Sequence, residues 1–351
     1  MKRDENLDLI RSVAILLLVG LHFIAGTGWY MLPNLGPADL AVQGYRVLVN
    51  DCVPLFLLLT GYLCCRKELS ASHYLGLVHI YVIYLLACLA SLLMKAVFLH
   101  EAIDLRYALG AIANHYACDY SWYVSMYTGL FLLIPFLNAL YARLDSRRNK
   151  RLLIGTLLFL SAGPSLLNGK WNLYFEWWTE LYPLTYYFLG AYLREYRPRI
   201  PVGRGLAFLA AMLLLFGGWN FLRCRPGIFQ WTDYTGFTGA ACAMTAVPLF
   251  LLLQRVDMAR WAALLRRGVH RVSLLSYGAY LFSFLSDAWV HRLLRARVPE
   301  PMMRFRYALP CVLLSLTLAL AMSWAAEILA APLEKGITAC LRRGYRRLVK
   351  D

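Results

Sequence analysis

Arg11 and His22 stand eleven residues apart inside one apolar run, Leu7 to about Ala25. On a helix, eleven steps of 100° return to within about 20° of the same face, and at 1.5 Å per residue the two side chains lie roughly 16 Å apart. One stripe then presents a fixed cation near one membrane surface and an imidazole deep in the bilayer. Ionisable groups are costly there, so each needs a reason. A neutral imidazole is the form a general base requires, and a guanidinium can grip phosphate or carboxylate through two parallel hydrogen bonds. Against this, Arg11 can snorkel to lipid phosphates, and His22 can serve helix packing through a hydrogen bond. Taken singly, the two residues leave both readings open. Asp8, one turn before Arg11, is placed to orient it.

Other polar groups are weaker candidates. Glu176 and Glu180, one turn apart, could bind sugar hydroxyls or orient an imidazole, although a solvated interfacial position is the simpler reading. Trp122 and Tyr123 could stack on a sugar or an acyl arm, and interfacial anchoring explains them almost as well. His115 and Asp119 resemble a metal pair with no third ligand, so no metal is expected. Asp287 and His291, at i and i+4, read as a helix-surface pair. The nine cysteines are scattered, with Cys64 and Cys65 adjacent; they show no CxxC or zinc spacing and read as packing residues.

The elements that must position these groups are apolar helices. The 351 residues are 60% hydrophobic and 16% charged, far more apolar side chain than one soluble core needs. Stretches of about 17 to 25 apolar residues, long enough to cross roughly 30 Å of hydrocarbon, recur from end to end. They predict an all-α, polytopic membrane protein of about ten spans: 8–27, 46–65, 74–97, 122–141, 152–168, 176–193, 205–222, 236–253, 272–290 and 307–330. A single membrane domain would occupy 1–351, without a fused soluble domain. The first span, with Asp8, Arg11 and His22, reads as retained rather than as a cleaved signal.

A net charge of +16 could suggest nucleic acid, but the basic residues cluster between spans. With a cytosolic N-terminus, the inner loops hold 16 Lys and Arg and the outer loops, Lys170 included, hold 10. That bias is the positive-inside rule, and it excludes nucleic acid as the explanation. A tail carrying Arg342, Arg343, Arg346, Arg347 and Lys350 puts the C-terminus in the cytosol too. The arginines from Arg292 to Arg306 fit this rule poorly and would face an anionic acceptor or lipid head groups. Prolines such as Pro54, Pro135, Pro183 and Pro248 are tolerable in membrane helices. The lack of an inverted repeat speaks weakly against a transporter.

Four segments resemble the membrane acyltransferase-3 family. They are LDLIRSVAILLLVGLHF (Leu7 to Phe23), NDCVPLFLLLTGYL (Asn50 to Leu63), SWYVSMYTGLFLLIPFLNALY (Ser121 to Tyr141) and YYFLGAYL (Tyr186 to Leu193). The first carries the family's signature, an Arg, ten intervening residues and a His. The resemblance implies a multi-pass enzyme of the cell membrane of a bacterium. Such an enzyme moves an acyl group, commonly acetyl, from cytosolic acyl-CoA to a hydroxyl of a surface glycan or lipid-linked glycan. It implies His22 as catalytic base and Arg11 as the donor-side cation, with acyl-CoA, the glycan acceptor and membrane lipids as partners and no metal. Relatives often carry basic residues at the start of the third span, where this chain has Ser72, His73, Leu77 and His79; Arg66 and Lys67 are the substitutes for holding the coenzyme's phosphates. Relatives often end the SYGAYLFS segment in His, and here Ser283 stands. The rival reading is a transporter or exporter of a small polar solute or glycan, with Arg11 as substrate counter-ion and His22 as proton relay.

Overall fold

The computed structural model describes residues 3–98, 100–168, 176–231 and 233–348, and these contain helices and no strand. Lys170 and Lys350 lie outside the described residues, as do the side chains of Arg346 and Arg347. The helices are α1 (Glu5–Thr27), α2 (Pro37–Val49), α3 (Cys52–Cys64), α4 (Ala71–Phe98), α5 (Leu105–Ala113), α6 (Trp122–Ala142), α7 (Arg147–Ser161), α8 (Gly163–Leu167), α9 (Tyr182–Tyr196), α10 (Val202–Cys224), α11 (Ala240–Leu253), α12 (Ala263–Arg297) and α13 (Ala308–Leu348). Helix α1 starts at Asp4, whose carboxylate accepts from the backbone N–H of Asn6, an N-cap that satisfies one orphan donor.

Each of the ten apolar segments read from the sequence falls on helix, but the helices are cut differently. Among the described residues six stretches are long and apolar enough to cross a membrane: Glu5–Thr27, Pro37–Cys64, Ala71–Phe98, Trp122–Ala142, Val202–Cys224 and Met302–Arg343. Helices α7, α9 and α11, of 15, 15 and 14 residues, fall short of the roughly 20 that span hydrocarbon upright. The expected second span is two helices, α2 and α3, which break at Asn50 and Asp51. Pro54 does not interrupt α3 because it sits in the first turn, where its missing N–H has no intrahelical partner anyway. The expected sixth span begins as a 3-10 segment, Glu176–Leu181, and becomes α-helix only at Tyr182.

Helix α1 lies at the centre, against α3 on one side and α12 on another; α12 in turn packs along α13, and α3 along α9. Helix α3 is buried around nearly its whole circumference, as expected for a helix apolar on all faces. It approaches α9 closely through two glycines. A Cβ on Gly61 would lie 1.9 Å from the carbonyl oxygen of Tyr187, and one on Gly190 would lie 2.1 Å from that of Leu58. Small residues permit this approach of backbones where lipid supplies no hydrophobic drive between helices.

One of the poorly fitting arginines finds a different role from the one expected. Arg304 is buried and donates to the carbonyls of Thr27, Val298 and Pro299 at 2.5, 2.8 and 2.6 Å. It caps the end of α1 instead of facing lipid or a glycan. Three carbonyls left over by turns and a helix end match the planar fork of donors that guanidinium offers.

Candidate active site

At one end of the bundle α1 and α12 bring His22 against Asp287, with Nδ1 2.9 Å from Oδ2. Asp287 is only 2% exposed. Its carboxylate also accepts from the Tyr120 hydroxyl at 3.4 Å, and from the Ser315 hydroxyl through a shorter contact. Ser286 steadies Ser315 at 2.9 Å. The His22 ring stacks on Tyr120, with centroids 3.7 Å apart, and Ser283 Oγ lies 3.4 Å from Nδ1. A carboxylate only accepts, so Nδ1–H donates to Asp287; in a neutral ring so held, Nε2 is the nitrogen that carries the lone pair.

The reading of Asp287 and His291 as a surface pair is wrong. Both are buried, because α12 has α1 on one flank and α13 on the other and leaves that face no solvent. His291 fills a notch at Gly26, where a Cβ would come within 2.0 Å of Nδ1. A signal was present: Asp287 follows Ser283 by one helical turn, so it shares the face on which the family often carries His. A carboxylate inside an apolar helix called for the same scrutiny as Arg11.

At the other end, Arg11 Nη1 donates to Ser273 Oγ at 2.9 Å, and that hydroxyl donates to Asp8 Oδ1 at 2.7 Å. Arg3 grips Asp8 with two bonds of 2.7 and 2.8 Å. Asp8 therefore reaches Arg11 through a serine hydroxyl. Arg11 faces a cavity of about 280 Å³ enclosed by α1, α3, α4, α6 and α12. Its walls are mostly apolar, among them Leu18, Phe56, Leu59 and Ile80, and Tyr123 and Tyr280 line it as well. Tyr280 donates to the carbonyl of Tyr120, the residue on which His22 stacks. Tyr280 and Tyr120 thus link the cavity wall to the imidazole.

The remaining candidates divide. Tyr123 is buried in the cavity wall, whereas Trp122 stacks on Phe237 with centroids 5.3 Å apart. Lys67 and Arg66 follow the end of α3, and Lys67 lies over the Phe131 ring at 5.6 Å. Glu176 and Glu180 are exposed on the segment Glu176–Leu181, and among the described residues neither contacts His22 or the cavity lining. His73 donates from Nε2 to the Phe131 carbonyl at 2.8 Å. His79 lines the cavity while Glu334 holds its Nδ1 at 2.9 Å, so α13 braces that wall. His115 stacks on Tyr84 and Asp119 lies 3.8 Å from Lys95, so they take separate partners.

The buried imidazole–carboxylate pair, near an apolar cavity with an arginine in its lining, suits acyl transfer within a membrane. The family comparison agrees: the acyltransferase-3 model, described as an acyltransferase domain, matches residues 4–324. The chain belongs to this family and is a multi-pass membrane acyltransferase. No curated protein and no solved structure matches it.

Proposed function

We propose that this enzyme is an O-acyltransferase of the bacterial cell membrane, with the Arg11 end facing the cytosol. It takes an acyl group, acetyl in the first instance, from acyl-CoA and places it on a hydroxyl of a surface glycan or its lipid-linked precursor. The observation that carries this reading is His22, oriented by buried Asp287, on the same stripe of α1 as Arg11, with the cavity between them. In the reaction, the acceptor oxygen attacks the thioester carbonyl as its proton passes to His22 Nε2. Asp287 stabilises the imidazolium so formed. The tetrahedral intermediate collapses by breaking the C–S bond, and the thiolate recovers the proton from His22, giving the O-acyl ester and free CoA.

The test is release of free CoA from acetyl-CoA by the purified protein, with and without glycan acceptor. Acceptor-dependent release that transfers the label to glycan is the expected result. Transport of the glycan without any CoA release would establish the exporter reading in its place.

A further inference from the structure

A second cavity, of about 410 Å³, opens at the Arg11 end of the bundle on the other side of α3. Four arginines line it, Arg194, Arg197, Arg199 and Arg255, with Asp4 the one carboxylate in that lining. Among the described residues none of the four joins an ion pair. The local sequence explains their convergence. Helix α9 ends because Arg197 turns left-handed, at φ 43°, and Pro198 cannot continue the ladder. The chain then folds back and returns Arg199 to the same bay. Asn6 of α1 gathers the carbonyls of Gln254 and Val256 at 2.6 and 2.9 Å, which fixes the turn carrying Arg255.

Cations surround the end of α3, between this bay and the Arg11 cavity. Tyr62, beneath the Arg194 guanidinium at 4.9 Å, lines the bay, and the next two residues, Leu63 and Cys64, line the cavity. Cys65 lies in the field of Arg194 and Arg66, and Cys64 in that of Lys67 and Arg11. One or two cations would suffice to complement the partial negative charge of the α3 C-terminus. Four arginines around an open bay of small-molecule size exceed that need. Guanidinium groups match phosphate bidentately, so a ligand with several phosphates is the chemistry that fits.

We infer that the bay of Arg194, Arg197, Arg199 and Arg255 holds the phosphates at the nucleotide end of the acyl donor, whose thioester arm passes over the end of α3 into the Arg11 cavity. This rests on the acyl-CoA reading above. The arm has to cross one helix, about 10 to 12 Å with its side chains, a distance that extended pantetheine exceeds.

The experiment measures binding of CoA and of 3′-dephospho-CoA to the full chain in neutral phosphatidylcholine nanodiscs. The wild type is expected to bind CoA at least about tenfold more tightly than the dephospho form, as loss of charge-assisted hydrogen bonds implies. In the Arg197→Ala/Arg199→Ala double variant that gap should close. Should the alanine pair not fold, Arg197→Lys with Arg199→Lys keeps the charge and should narrow the gap. An unchanged gap in the variant overturns the assignment and leaves the acyl-CoA reading standing. Unchanged CoA binding with loss of co-purified anionic lipid overturns it too, by giving the bay to lipid phosphate. Absence of CoA binding to the wild type sinks the acyl-CoA reading and this assignment with it.

Discussion

The two ends of α1 carry their functional side chains in opposite ways. His22 is locked: a ring stacked on Tyr120, its Nδ1 on Asp287, and Asp287 held by hydroxyls. Arg11 is tethered on one side only, by Ser273, and turns toward an open cavity. The first arrangement suits a group that must meet a reacting atom in one geometry, where small displacements are costly. The second suits a group that must accept and release a ligand. Rigidity is concentrated where bonds would change, and freedom where a donor would enter.

The sharpest way to break this contrast is at the locked end. His22→Ala should lower turnover by about 10²- to 10⁴-fold, the usual contribution of a general base, while the protein still inserts and elutes as the wild type. Retained turnover in a steady-state CoA-release assay would remove His22 from catalysis.

Asp287→Asn tests whether the lock matters beyond the imidazole itself. An amide can donate to Nδ1, which moves the proton to Nε2 and leaves no lone pair there for the acceptor. Turnover should fall by about 10²-fold or more, with donor affinity unchanged. A loss confined to donor KM would place Asp287 in binding.

At the open end the effects should be smaller and of another kind. Arg11→Lys keeps the charge but replaces a bidentate fork by a point charge. Donor affinity should fall by about tenfold, the scale of one charge-assisted hydrogen bond, with acceptor affinity steady. Equal donor binding would return Arg11 to a snorkelling role. Ser273→Ala removes the tether but leaves the guanidinium, so donor affinity should weaken by only about threefold, within the net worth of one neutral hydrogen bond. A loss larger than that of Arg11→Lys would mean that the cation needs to be as fixed as the imidazole, and the contrast would disappear.

Much of this was legible from the sequence where the information is local. Arg11 and His22 share a helical stripe because 3.6-residue periodicity dictates it, and all ten apolar segments are helical. Asp287 was misread because its partner lies 265 residues away, and spacing within α12 shows only its relation to His291. The break between α2 and α3 was hidden because Asn50 and Asp51 are both buried and interrupt an apolar run without glycine or a charge cluster. His79 offered no hint of Glu334, 255 residues further on. Hydropathy gives helices, and the pairing of their polar residues comes only with packing.

The 265 residues between His22 and Asp287 also set an order of assembly. Chains are made and inserted from the N-terminus, so the imidazole enters the membrane well before its carboxylate exists. A polar side chain among lipids is costly until it is paired. By the time α12 is synthesised, the imidazole of His22 and the hydroxyl of Tyr120 are both in place to receive Asp287. Asp287 is thus delivered near the end of synthesis, to partners already waiting.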